Sequence, residues 1–190
     1  MTNKPNKKIY LASKSPRRKE LLQQIGVDFD IISAEIDETP HLGEMPEDFV
    51  LRMAIQKAQA GYAASTKKRP TLGSDTVVVV DGEIFGKPLG QNDSIRMLTK
   101  LSGRLHYVYT SVAIALENSV IFTTNRTIVT FKQLDRDEIL TYIETGEPAD
   151  KAGSYAIQGL AARFISNIDG SYSGVMGLPV FETAQLLDQI

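Results

Sequence analysis

The chain of 190 residues contains no cysteine. That excludes disulfide frameworks, thiolate nucleophiles and zinc fingers, and it leaves nothing that argues against a reducing compartment. Histidine is nearly absent too: only His41 and His106 occur, so a histidine-rich metal site is excluded and a Ser-His-Asp relay has few candidates. His106 lies in a strand pattern, which predicts a packed ring rather than a catalytic one. No apolar run approaches the ~20 residues of a membrane span. The first nineteen residues carry seven basic side chains (Lys4, Lys7, Lys8, Lys14, Arg17, Arg18, Lys19) and no acid. Their only apolar stretch, Ile9-Tyr10-Leu11-Ala12, is too short for a signal core. The expectation is a soluble cytoplasmic protein. Any catalysis must run on carboxylates, lysines, arginines and hydroxyls.

What is present fits a folded domain. Hydrophobic residues make up 42% and charged residues 23%, in the ordinary globular range, and the length suits about one domain of ~150 residues. Lys plus Arg number 21 against 23 Asp plus Glu, a net charge of −2. The charges are unevenly placed. After the basic opening, residues 28–48 hold eight acids and no Lys or Arg. A solvated surface produces such a run, and so does an anion-binding element followed by a cation-binding one.

Residues 8–12 read as a strand. Ser15 is a good N-cap, Pro16 suits the first helical position, and Gly26 ends the helix whose apolar face is Leu21, Leu22 and Ile25. Phe29 to Ser33 reads as a short strand, and a helix begins at Pro46 with Phe49, Val50, Met53, Ala54 and Ala58 at helical spacing. Thr71 to Val80 reads as a strand ending in an apolar run, and Asp81-Gly82 as a hairpin turn into Glu83-Ile84-Phe85. Further expectations are a helix at 92–102, strands at 105–116 and 120–132, a helix opened by a capping box at Asp135, and a last helix from near Pro179. The Lys67-Lys68-Arg69-Pro70 cluster reads as a surface loop. The fold class expected is α/β, a mixed sheet flanked by helices.

Four places carry candidate chemistry. In Ser13-Lys14-Ser15-Pro16-Arg17-Arg18, a strand feeds a helix start, where backbone N–H groups and the helix dipole favour an anion and hydroxyls and guanidiniums add donors. A well-capped helix with solvated arginines would carry the same residues. Asp75 stands at the mouth of a very apolar strand, where an unpaired carboxylate meets a steep desolvation cost. A divalent ion, a lysine, or backbone hydrogen bonds at a strand end would offset it. Asp37-Glu38 offers hard oxygen donors for Mg²⁺ or Mn²⁺, although loop acids are commonly just solvated. The segment Asp150 to Gly159 offers Gln158, a donor beside an acceptor, on a glycine-rich backbone; a glycine-bounded strand with a surface glutamine is the plainer alternative. Lys57 and Lys87 stand near these features in sequence, on a helix and after the hairpin. No phosphate-binding loop of the G-x-x-x-x-G-K-[ST] kind occurs.

These blocks, taken in order, resemble the Maf family of nucleoside triphosphate pyrophosphatases, related in fold to the inosine triphosphatase (Ham1) group. They are Leu11 to Arg18, Ile36-Asp37-Glu38-Thr39, Gly73-Ser74-Asp75-Thr76, Gly86-Lys87-Pro88, Leu101-Ser102-Gly103 with His106, Gly146-Glu147-Pro148, Asp150 to Gly159, Gly170-Ser171-Tyr172 and Gly177-Leu178-Pro179. The resemblance runs from about Tyr10 to Leu187. It implies one Maf-like domain over residues 1–190 with a central cleft, residues 1–8 being a candidate disordered extension.

The resemblance further implies hydrolysis of a nucleoside triphosphate to the monophosphate and pyrophosphate, protecting the nucleotide pool, with a divalent metal (Mg²⁺ or Mn²⁺) as cofactor. Asp75, Lys57 and Lys87 match the family's catalytic positions, Glu38 and Asp75 its metal-binding carboxylates, and Ser13, Arg17 and Arg18 its triphosphate-binding opening. Arg17, Thr76 and Gln158 resemble the branch that takes dTTP and UTP. The branch acting on 7-methyl-GTP tends to carry an aromatic, a glutamine and a glutamate there. A homodimer is implied as well. A nucleic-acid-binding module would show a basic balance and interleaved aromatics; a net charge of −2 and 7% aromatics argue against it. A regulatory role in septum formation is compatible with hydrolysis.

Overall fold

The computed structural model describes residues 8–33 and 35–190. The expected extension lies outside the described residues except for Lys8, whose ammonium pairs with Asp30 at 2.8 Å. Among the described residues one mixed sheet has seven strands: β1 (Ile9–Leu11), β2 (Phe29–Ile31), β3 (Thr71–Val80), β4 (Glu83–Phe85), β5 (Leu105–Ala115), β6 (Val120–Phe131) and β7 (Ile165–Asp169). Their order is β2-β1-β3-β5-β6-β7, with β4 paired to β3. The helices are α1 (Pro16–Gln24), α2 (Pro46–Ala64), α3 (Gln91–Leu101), α4 (Arg136–Glu144), α5 (Tyr172–Met176) and α6 (Val180–Leu187). The expected α/β class is what forms. No described helix is long and apolar enough to cross a membrane. The chain divides into two compact units, residues 1–75, 111–124 and 177–190, and residues 76–110 and 125–176.

In the first unit β1 pairs in parallel with β2 and with β3, Leu11 standing opposite Ile31 on one side and Leu72 on the other. Ile9 and Leu11 are buried on one face, and Tyr10 between them is half-buried on the other. Helix α1 opens on Pro16, whose fixed φ fits the first helical position, and closes at Gly26 with φ +70°. Ser15 precedes a proline and stays extended, and its hydroxyl makes no capping bond. The Ser13 hydroxyl accepts from the Ser15 N–H instead, at 3.2 Å. Helix α2 starts with Pro46, Glu47 and Asp48, favourable against the helix dipole, and buries Phe49, Val50, Met53, Ala54 and Ala58. Where α2 crosses β3 the contact is between backbones: a Cβ on Gly73 would fall 2.5 Å from the Ala54 carbonyl and the Ala58 nitrogen. The basic cluster after α2 is the surface loop expected, and two of its side chains are anchored. Lys68 donates to the Tyr62 and Ala63 carbonyls at the helix end, and Arg69 pairs with Asp30 at 2.8 Å.

In the second unit the rest of β3 turns at Asp81 and Gly82, both with positive φ (52° and 77°), into antiparallel pairing of Val78 with Phe85. Helix α4 carries the expected capping box between Asp135 and Glu138. Phe85, Leu98, Leu101, Phe131 and Phe164 are among the buried residues of its core. Two findings depart from the sequence reading. Helix α5 was not expected. The segment after α4 holds no glycine-bounded strand but 3-10 turns at Glu147–Asp150, Ala152–Ser154 and Leu160–Phe164. Gly153 and Ser154 are both left-handed (φ +68° and +61°), and successive residues in that region cannot continue an extended strand.

Candidate active site

The first unit gathers most of the candidate residues. Asp75 sits midway along β3 and Lys57 on α2, and the backbone-to-backbone approach at Gly73 lets them meet. The Lys57 ammonium donates to Asp75 Oδ1 at 2.7 Å and lies 2.8 Å from Glu38 Oε1. One cation is thus shared by two carboxylates. Their environments differ: the side chains of Lys57 and Asp75 are 13% and 14% exposed, that of Glu38 61%. Burial raises the Asp75 pKa above the ordinary aspartate value; Lys57 and Arg18 oppose that rise and Glu38 adds to it. Asp75 is therefore a stronger base than an exposed aspartate.

Arg18, in the first turn of α1, is tied down at several points. Its Nε donates to the Gly177 carbonyl at 2.8 Å and its Nη1 to Ser13 Oγ at 3.2 Å. Removal from water lowers its pKa, against the attraction of Asp75; the neighbouring Arg17 lowers it further and Glu38 raises it. The Gly177 carbonyl also accepts from Ser74 Oγ at 3.0 Å. One carbonyl therefore joins the start of α1 to β3 beside Asp75. Ser13, Arg17, Arg18, Glu38, Lys57 and Asp75 all belong to this unit.

Asp37 and Glu38 part company. Asp37 Oδ1 accepts from the Thr39 N–H at 2.9 Å, and the hydroxyl and N–H of Thr39 hold its carboxyl below the usual range. Only Glu38 reaches Lys57. Its loop is fastened by residues with no motif to announce them: Arg52 makes two 2.6 Å bonds to the Glu44 carboxylate and one of 3.1 Å to the Thr39 carbonyl. Ser74 and Gly177 lie in recognisable sequence blocks that assign them no role. Their contacts connect residues far apart in the chain, which no local pattern signals.

Thr76, Lys87 and Gln158 belong to the second unit. Thr76 Oγ1 lies 3.0 Å from Thr110 Oγ1, whose hydroxyl donates to the Gly174 carbonyl at 2.7 Å. Lys87 and Gln158 are exposed, the first just after β4 and the second on a turn. His106 is packed, as its strand pattern predicts: Nε2 lies 2.8 Å from the Tyr155 hydroxyl, Phe131 meets the ring edge-on, and burial pushes its pKa down to about 3.

Two carboxylates that converge on one ammonium present hard oxygen donors to a single cation position. Among the described residues no group of three such ligands gathers. Carboxylate oxygens are donors of the kind that hard divalent cations take, and one or two of them suffice where other ligands complete the coordination.

An α/β protein in which half-buried acid and lysine side chains meet, with a half-buried arginine at a helix start acting on the same acid, is the class that fold and site define. A family model described as Maf-like protein matches residues 8–190. The dTTP/UTP pyrophosphatase of Pseudoalteromonas translucida is 52% identical over 179 residues, covering 94% of this chain and 95% of that protein. The dTTP/UTP pyrophosphatase of Vibrio parahaemolyticus is 51% identical over 184 residues, covering 95% and 96%. A nucleoside triphosphate pyrophosphatase of Haemophilus ducreyi is 47% identical over 189 residues, covering 97% and 96%. The solved structure of the Staphylococcus aureus Ham1 protein matches with a TM-score of 0.49 at 18% identity, over 66% of this chain and 72% of that one. The chain belongs to the Maf family.

Proposed function

We propose that this protein hydrolyses dTTP and UTP to the nucleoside monophosphate and pyrophosphate. The observation that carries the reading is the Lys57 ammonium held between Asp75 and Glu38, with Arg18 electrostatically coupled to both acids. Near-full-length relatives carrying the name dTTP/UTP pyrophosphatase support the substrate class.

Water attacks the α-phosphorus, its proton passes to the Asp75 carboxylate, and the bond to the β-phosphate oxygen breaks to release pyrophosphate. Asp75 suits this task because burial strengthens it as a base. Lys57, Arg17 and Arg18 neutralise phosphate oxygens, and Ser13 donates a hydroxyl beside them. Glu38 and Asp75 would hold a divalent cation, Mg²⁺ or Mn²⁺, which when bound would add stabilisation for charge on the departing pyrophosphate. From the family resemblance, Lys87 is assigned to the phosphates and Arg17, Thr76 and Gln158 to choosing the nucleotide. Uracil and thymine display an acceptor O4 beside a donor N3–H, and one carboxamide pairs with both. The proposal treats residues 1–190 as one Maf-like domain, homodimeric and cytosolic.

The test is pyrophosphate release from a panel of triphosphates with Mg²⁺ or Mn²⁺, including 7-methyl-GTP, for the wild type and Asp75→Asn. Turnover of dTTP and UTP above the others, falling at least ~10²-fold in Asp75→Asn, is expected. An inert protein that retains oligonucleotide would overturn the reading, and a preference for 7-methyl-GTP would overturn its substrate.

A further inference from the structure

Gln158 occupies the tip of a tight turn, and the turn is held from beneath by two residues that no motif reading assigns a role. The Gly159 N–H donates to the Ala156 carbonyl at 3.0 Å, closing residues 156–159. Inside that closure Ile157 is buried and Gln158 exposed. On one flank the Ala156 N–H donates to the Tyr142 hydroxyl at 3.2 Å. On the other, the N–H groups of Leu160 and Ala161 donate to Glu147 Oε2 and Oε1, at 2.9 and 3.3 Å. The Tyr142 hydroxyl closes the ring by donating to Glu147 Oε1 at 2.7 Å. Gly159 completes the arrangement: a Cβ there would overlap the Glu147 carboxylate, so a larger residue pushes the end of that side chain out of its place under the turn. Tyr142 is itself buried in the core at 3% exposure, which fixes one side of the support.

We propose that Glu147 and Tyr142 are specificity-determining positioning residues, fixing the height of the 156–159 turn so that the Gln158 carboxamide meets a pyrimidine edge and not a purine edge. The proposal rests on the reading of Gln158 as the residue that pairs with the base. Guanine shows the same acceptor-beside-donor pair as uracil, O6 and N1–H, but one ring further from its sugar. Hydrogen-bond chemistry alone therefore cannot separate the two bases; a carboxamide held at a fixed reach can. A turn free to retreat would admit both.

The test compares kcat/KM for UTP with that for GTP in Gly159→Ala, Glu147→Gln and Tyr142→Phe. Each variant is expected to lower the UTP-over-GTP ratio at least about tenfold, mainly through KM for UTP, the scale on which displaced contact groups act. A merely structural role would lower turnover of both nucleotides alike and leave the ratio unmoved. Gly159→Ala displaces only the end of a flexible side chain and keeps the assay open should a core variant fold poorly. Added to Gln158→Ala, it should change the ratio no further. If Gln158→Ala lowers the ratio but the three supporting variants do not, this proposal alone is overturned. If Gln158→Ala itself leaves the ratio intact, the reading of Gln158 falls, and the proposal with it.

Discussion

At the scale of single residues, Lys57 and Glu38 separate stability from chemistry. Lys57 and Asp75 form a largely buried pair, and removing one member of such a pair strands the other charge. Lys57→Met should therefore destabilise the protein by ~3 kcal/mol in denaturant titration. Glu38 is mostly exposed, and exposed pairs contribute little. Glu38→Gln should leave the unfolding midpoint nearly unchanged while pyrophosphate release falls sharply. A Glu38→Gln protein that is fully active would remove this carboxylate from the proposed machinery. Asp75 was the most legible of these residues, because a carboxylate in an apolar strand must be compensated, by a counter-charge or by hydrogen bonds. Which lysine supplied it was not legible: Lys57 reads as any helix lysine until the helix is laid on the strand.

Among elements, the decisive contact is α2 against β3. Gly73→Ala would press a methyl group into the backbone at Ala54 and Ala58, where no rotamer change relieves it. Overpacking of this kind costs ~1–3 kcal/mol, and the helix must shift, carrying Lys57 away from Asp75. Gly73→Ala should show a lower melting temperature together with lost activity, whereas Gly82→Ala, strained at φ +77° but with open space around the added methyl, should lose only stability. Elements with punctuation at both ends were readable in the sequence: α1 between Pro16 and Gly26, the hairpin at Asp81-Gly82, α4 from its capping box. The 147–164 segment was not, because its path is set by left-handed residues and by side chains such as Glu147 that bond backbone groups thirteen residues on. Local pattern carries no record of such partners.

For the molecule as a whole, acid is the expected weakness. His106 titrates near pH 3 in the folded protein against 6.5 ordinarily, so the unfolded chain takes up its proton first. Stability from this group is complete above pH 6.5 and drains as pH falls toward 3, by up to ~1.4 kcal/mol per unit. Glu44, held down to about 2 by Arg52 against 4.5 ordinarily, adds a second loss as pH falls from 4.5 toward 2. Thermal melting followed from pH 7 to 4 should slope downward from about 6.5, and His106→Phe should flatten that slope even though it strands the Tyr155 hydroxyl. An unchanged slope would mean that the imidazole is protonated in the native protein.

The Gly177 carbonyl that clasps Arg18 and Ser74 comes 159 positions after that arginine. During synthesis the early turn must wait for this partner until ribosomes have delivered nearly everything downstream. Nascent chains interrupted before this glycine would thus emerge with every acidic and basic residue of the proposed machinery already translated, yet without the latch between the Arg18 guanidinium and the Ser74 hydroxyl.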